Sequence, residues 1–168
     1  LEETKGNIAA AIDYLRKSGA LKAAKKSDRA TNEGLVHSYI HGGGRVGVLV
    51  ELLCETDFVA RNPEFAELAH EIAMQVAATN PLYVRPEDIS AEVMEKEKSM
   101  YAQETVGKPA NIAEKIFTGK LEKWYAEVCL MRQAFIKDED MTIEDLVKAK
   151  IAKLGENIQV RRFVRYAL

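Results

Sequence analysis

The order of patterns along these 168 residues predicts an α+β fold: an antiparallel three-stranded sheet with helices packed against it. Three observations carry the prediction. Two β-rich runs flank the glycines at 42–44, an apolar stripe of helical period runs from Phe65 to Ala77, and a third β-rich run covers 157–166. A hairpin cannot belong to a purely parallel sheet, and a block of helices between strands, rather than strict alternation, is the signature of α+β.

Asn7 is suited to cap a helix whose apolar residues Ile8, Ala11, Ile12 and Leu15 recur at helical spacing, with Gly19 as the expected stop. From Arg16 to Arg29 the chain carries Arg16, Lys17, Lys22, Lys25, Lys26 and Arg29 against the single acid Asp28, which reads as a solvated helical linker. Residues 35–41 and 45–54 then form the hairpin about Gly42-Gly43-Gly44. The second run, Val46 to Cys54, is apolar nearly throughout and is the expected central strand; the first mixes His, Ser and Tyr.

Asn62-Pro63 has the chemistry of a helix start, and Phe65, Leu68, Ala69, Ile72, Ala73, Val76 and Ala77 should lie buried across the hairpin. Pro81 and Pro86 make the next stretch a loop. Ser90 caps a charged helix with Met94 and Tyr101 on one face, Gly107-Lys108-Pro109 breaks it, and Ile112 to Val128 is helical again. A helical insertion is thus expected at about 86–128. Thr142 before Ile143, Leu146, Val147, Ile151 and Leu154, with Gly155 after them, marks both ends of a further helix. In the last run the alternation slips at Arg161-Arg162, where a bulge fits.

Composition narrows the function. With 24 basic and 26 acidic residues the net charge is -2, without the bulk positive charge of a nucleic-acid coat. No apolar run approaches the ~20 residues of a membrane span. The acidic opening Leu1-Glu2-Glu3 is unlike a targeting segment, and a start without Met is expected of a piece whose natural beginning lies upstream. Two cysteines, Cys54 and Cys129, point to core thiols in a reducing compartment, the cytoplasm.

Few residues have the spacing of chemistry. His37 and His41 stand four apart on a strand, ~13 Å at ~3.3 Å per residue, too far to share one ion. Gly42-Gly43-Gly44 lacks the Lys-Ser/Thr and the following helix of a phosphate loop. No metal ligand set, cofactor or catalytic residue is expected. The basic segments 16–29 and 161–165 leave a nucleic-acid-binding module open as an alternative, and a thiol enzyme using Cys54 is a weaker third. Most telling is Cys54-Glu55-Thr56-Asp57-Phe58-Val59, between the central strand and a capped helix. Thr56-Asp57 can cap and Phe58-Val59 can staple the next helix; equally, an aromatic beside a carboxylate at such a turn can be offered to a partner.

Several segments in order, Leu15-Arg16-Lys17-Ser18-Gly19-Ala20, Lys22-Ala23-Ala24-Lys25-Lys26, Glu55-Thr56-Asp57-Phe58-Val59-Ala60, Lys108 to Lys115, and Lys153-Leu154-Gly155-Glu156-Asn157-Ile158 with Arg161-Arg162, resemble the translation elongation factor Ts family in a compact bacterial form. The resemblance covers essentially the whole chain. It implies a division into 1–30, the last helix of a small ubiquitin-associated-like module and a basic linker, and 31–168, an α+β core that dimerises. It also implies guanine-nucleotide exchange on elongation factor Tu without covalent chemistry. Phe58 would wedge into the GTPase and disturb its Mg²⁺ site, Thr56, Asp57 and Val59 would fix the approach, Lys25 and Lys26 would meet an acidic helix, and Leu154 and Gly155 would lie beside the wedge.

Overall fold

The middle strand organises the molecule, which a computed structural model describes at residues 3–5 and 7–168, with backbone alone at 9, 11–13, 15 and 16. Strands β1 (Glu33–Ile40), β2 (Val46–Cys54) and β5 (Ile158–Ala167) form an antiparallel sheet in the order β1-β2-β5. The expected three-stranded sheet and its central strand are both present. Along β2, Val48, Val50, Leu52 and Cys54 are buried at every second position, as a pleated strand covered on one face requires. The turn uses Gly43 and Gly44 at φ 79° and 69°, the left-handed region that glycine enters without penalty.

The expected bulge is there. Glu51 faces Arg162 while Leu52 faces Val160, so Arg161 is the extra residue and both arginines lie on the outer face of the sheet.

Two helices cover the inner face. The short α2 (Asp57–Ala60) leads into α3 (Pro63–Thr79), where Asn62 Oδ1 accepts from Glu64 N at 2.8 Å and Pro63 opens the first turn. All seven residues of the predicted stripe are buried. The buried Gln75 amide donates to Ala134 O at 3.0 Å and accepts from Ile136 N at 2.9 Å. These bonds anchor a small second sheet, β3 (Ala134–Phe135) with β4 (Asp138–Thr142), which the sequence did not announce. Its strands are too short and too polar for an alternation to register.

Helices α4 (Ala91–Gln103) and α5 (Ala110–Val128) follow, with Ser90 as cap and the break at Gly107-Pro109 as expected. They pair through Tyr125 Oη donating to Met94 Sδ at 3.5 Å and through the Lys120–Glu104 ion pair. Neither helix contains a buried residue among those described, so the pair stands out from the body. Its root is tied down where Leu82 N and Tyr83 N both donate to Val128 O.

Helix α6 (Ile143–Leu154) has the predicted ends: a capping box of Thr142 with Asp145, and Gly155 at φ 83°. Helix α1 (Ile8–Ala24), capped by Asn7, lies against α6. The expected stripe at Ala11, Ile12 and Leu15 falls outside the described side chains. The expected stop at Gly19 is corrected: α1 runs through it to Ala24. Gly19 is buried at the crossing with α6, where tertiary packing outweighs glycine's helix penalty of ~1 kcal/mol. A Cβ there would meet Ala152 Cβ at 3.7 Å, an ordinary contact. Gly19→Ala is therefore expected to stabilise the chain by roughly 0.5–1 kcal/mol, read as a raised denaturation midpoint.

Cys54 and Cys129 are free and fully buried, and burial pushes each thiol up to about 11. Core thiols were expected, and an activated nucleophile has the opposite shift.

Candidate partner-binding site

Where β2 ends, three segments of chain meet. Thr56 caps α2, its Oγ1 accepting from Val59 N at 3.4 Å. Val59 turns inward to the core, while Phe58 on the other side of the single helical turn is 82% exposed. Asp57, also exposed, pairs with Arg61 one turn on, at 3.0 Å. The staple reading of Phe58 is therefore not what the geometry holds; Val59, with Ala60 beside it, fastens α2 to the core.

From behind, the turn is held by the segment after α6. Glu156 Oε2 accepts from Glu55 N at 3.1 Å and Thr56 N at 3.0 Å, and its Oε1 accepts from Thr56 Oγ1 at 2.6 Å. In return Glu55 Oε1 accepts from Asn157 N at 2.6 Å. The third segment follows α1: Lys26 Nζ donates to Gly155 O at 2.5 Å, and the Asn157 amide donates to Ser27 O at 3.1 Å and Arg29 O at 2.8 Å. Leu154 packs against the core, and Lys25, next in the chain to Lys26, is exposed. Of the predicted residues, Thr56, Asp57, Phe58, Lys26 and Gly155 thus come to one corner, 129 positions apart at the extreme.

A family model described as elongation factor TS matches residues 7–168. Elongation factor Ts of Moorella thermoacetica is 55% identical over 168 residues, spanning 99% of this chain and 83% of that protein. That of Carboxydothermus hydrogenoformans is 55% identical over 170 residues, 100% of this chain and 78% of its own. The chain belongs to the elongation factor Ts family. A third relative, elongation factor Ts of Thermotoga petrophila, is 54% identical over 168 residues, 100% of this chain and 84% of its own. Membership makes this a translation elongation factor of protein biosynthesis.

In this family member Glu156 and Asn157 belong to a family-like segment, but sequence reasoning gave them no role. Taken singly, a glutamate and an asparagine after a helix-stopping glycine look like ordinary loop, and only the fold reveals hydrogen-bond partners about a hundred positions away. His70 was missed likewise. Its Nδ1 lies 3.2 Å from His37 Nε2, while His41 Nδ1 lies 3.0 Å from Tyr39 Oη. The two histidines therefore have separate partners, and His41, expected on the strand, lies in the turn just past the end of β1. Burial, and then the neighbouring His70, hold the His37 imidazole below its usual value.

The C-terminal arginines close on the protein itself. Arg161 Nη1 and Arg162 Nε each reach Glu51 at 2.6 Å, holding its carboxyl below the usual range, and Arg165 Nε donates to Ala77 O at 3.2 Å.

Proposed function

We propose that this chain is a guanine-nucleotide exchange factor, binding elongation factor Tu with GDP and promoting GDP release through the turn at Thr56–Val59. The observation that carries the reading is Phe58, an aromatic left 82% exposed on a turn that is locked from behind. An exposed large aromatic on a rigid mount is a candidate interface anchor. Thr56 and Val59 hold the turn, Asp57 orients the approach, and Phe58 enters between helices of the GTPase and disturbs its Mg²⁺ site.

No covalent step is needed. A factor that binds the metal-free, nucleotide-free GTPase more tightly must weaken nucleotide binding by the same factor. Lys25 is free to meet an acidic helix of the partner, whereas Lys26, bound to Gly155 O, secures the end of α1 beside Leu154 and the wedge. The engaged C-terminal arginines favour this protein partner over nucleic acid. No described helix is long and apolar enough to cross a membrane, and cytoplasmic work with no cofactor fits the role.

The test is release of labelled GDP from purified elongation factor Tu with and without this chain. Acceleration supports the reading; unchanged release, with salt-sensitive RNA binding instead, sinks it.

The resemblance also suggests a homodimer, for which the outer sheet face, with Val36, Ile40, Leu49, Val164 and Tyr166 exposed, is the natural contact. Sedimentation is expected to give a dimer that Leu49→Glu dissociates; a strict monomer at high concentration ends the idea.

A further inference from the structure

We infer that Glu156 is a positioning residue for Phe58, and that with Asn157 it makes the exposed turn and the end of α1 one mechanical unit. The inference deepens the exchange reading above and rests on it.

Helix α2 has four residues, too few to persist as a helix on its own. Phe58 is almost wholly in solvent, so packing does not aim it. The direction of its side chain is inherited from the backbone on either side: Val59 after it is pinned in the core, and Thr56 before it is held by one carboxylate. Glu156 takes the amides of Glu55 and Thr56 on one oxygen and the Thr56 hydroxyl on the other. Sending the hydroxyl proton to Glu156 leaves a lone pair of Oγ1 for Val59 N, so the carboxylate also sets the helix cap. Hydrogen bonds to a charged acceptor are about twice as strong as neutral ones, which suits a mount that must not yield when pushed against a partner.

The arrangement is reciprocal. Glu55 returns a bond to Asn157 N and meets Arg29 at 3.5 Å, while the Asn157 amide, only 2% exposed, holds the carbonyls of Ser27 and Arg29. A movement of residues 26–29 is therefore transmitted to Thr56 through two neighbouring residues of the 155–157 turn. Lys25 and Phe58 present themselves at a fixed separation, and binding at one prepays the placement of the other.

The test uses the full chain carrying Glu156→Ala or Glu156→Gln, with Ile72→Val as a core variant of lowered stability remote from the turn. GDP release from elongation factor Tu is measured over a range of factor concentrations, together with melting temperature and amide hydrogen exchange at Glu55 and Thr56. Glu156→Ala is expected to lower the maximal release rate by about tenfold, the loss of roughly one charge-assisted hydrogen bond. Glu156→Gln, which retains an acceptor for the amides, should lie between it and the parent. Both should show weaker amide protection at Thr56 than the parent, Glu156→Gln less so than Glu156→Ala. Ile72→Val should melt earlier and yet release GDP at the parent rate. Thr56 protection at the parent level in both Glu156 variants overturns the inference, as does a rate loss no greater than that of Ile72→Val. If Glu156→Ala fails to fold, Glu156→Gln decides alone. A parent chain that leaves GDP release unchanged refutes the exchange reading instead, and the Thr56 protection still decides whether Glu156 holds the turn.

Discussion

Phe58→Ala is expected to slow GDP release from elongation factor Tu by about thirtyfold at limiting factor concentration, the equivalent of the ~2 kcal/mol that an interface hot spot contributes. The same substitution should leave the melting temperature within about 2 °C of the parent, because exposed positions rarely move stability beyond ±0.5 kcal/mol. The two readouts must separate. A buried aromatic would lose ~3–5 kcal/mol on truncation, and the chain would melt many degrees early. At 82% exposure Phe58 has no such burial to lose. Parent-rate release by Phe58→Ala, or an early melt, removes Phe58 from the site.

The largest effect on stability is expected at a residue with no role in the turn. A Cβ built on Gly34 would stand 2.2 Å from Leu52 O and 2.9 Å from Leu53 Cα. Both are backbone atoms of the central strand, and neither can swing aside as a side chain can. Gly34→Ala must therefore part β1 from β2 where they pair at Leu53. The expected loss is roughly 3 kcal/mol, the upper end of overpacking costs, and a fall in melting temperature of about 6–12 °C for a chain of this size. A Gly34→Ala chain that melts with the parent would mean the strands can separate there without loss. Gly44→Ala is the comparison, since a Cβ there meets nothing within 4 Å and only the φ of 69° is at stake.

Much of this was legible beforehand because the signals were local and strong. β2 is apolar enough to be central, α3 carries an unbroken stripe, and Asn62-Pro63, Ser90 and Thr142 to Gly155 use side chains that satisfy helix ends within a few residues. Gly19 misled because its stop signal is local, while its tolerance comes from α6, more than a hundred residues later. The β3–β4 sheet was invisible because its strands are short and its apolar anchors are isolated residues, Phe135 and Met141, with the bonds from Gln75 made to backbone atoms. At the site the motif around Phe58 stood out by its odd composition, but its exposure could not be read, since a staple and a wedge have the same letters. Glu156 was illegible for a simpler reason: its partners are two backbone amides and a threonine hydroxyl, groups common throughout the chain.

The bulge in β5 makes one residue of that strand dispensable. Val160 points in, Arg161 and Arg162 both point out, and Phe163 points in again. Deleting Arg161 would restore strict in-and-out alternation, with Arg162 still opposite Glu51 and Phe163 still opposite Val50. Removing Gln159 or Val164 instead would turn the strand over on one side of the gap and drive charged or core side chains through the sheet. A one-residue deletion, ordinarily ruinous in the middle of a sheet, would thus leave the register on either side undisturbed at this arginine pair, at the cost of one of the two exposed ion pairs to Glu51.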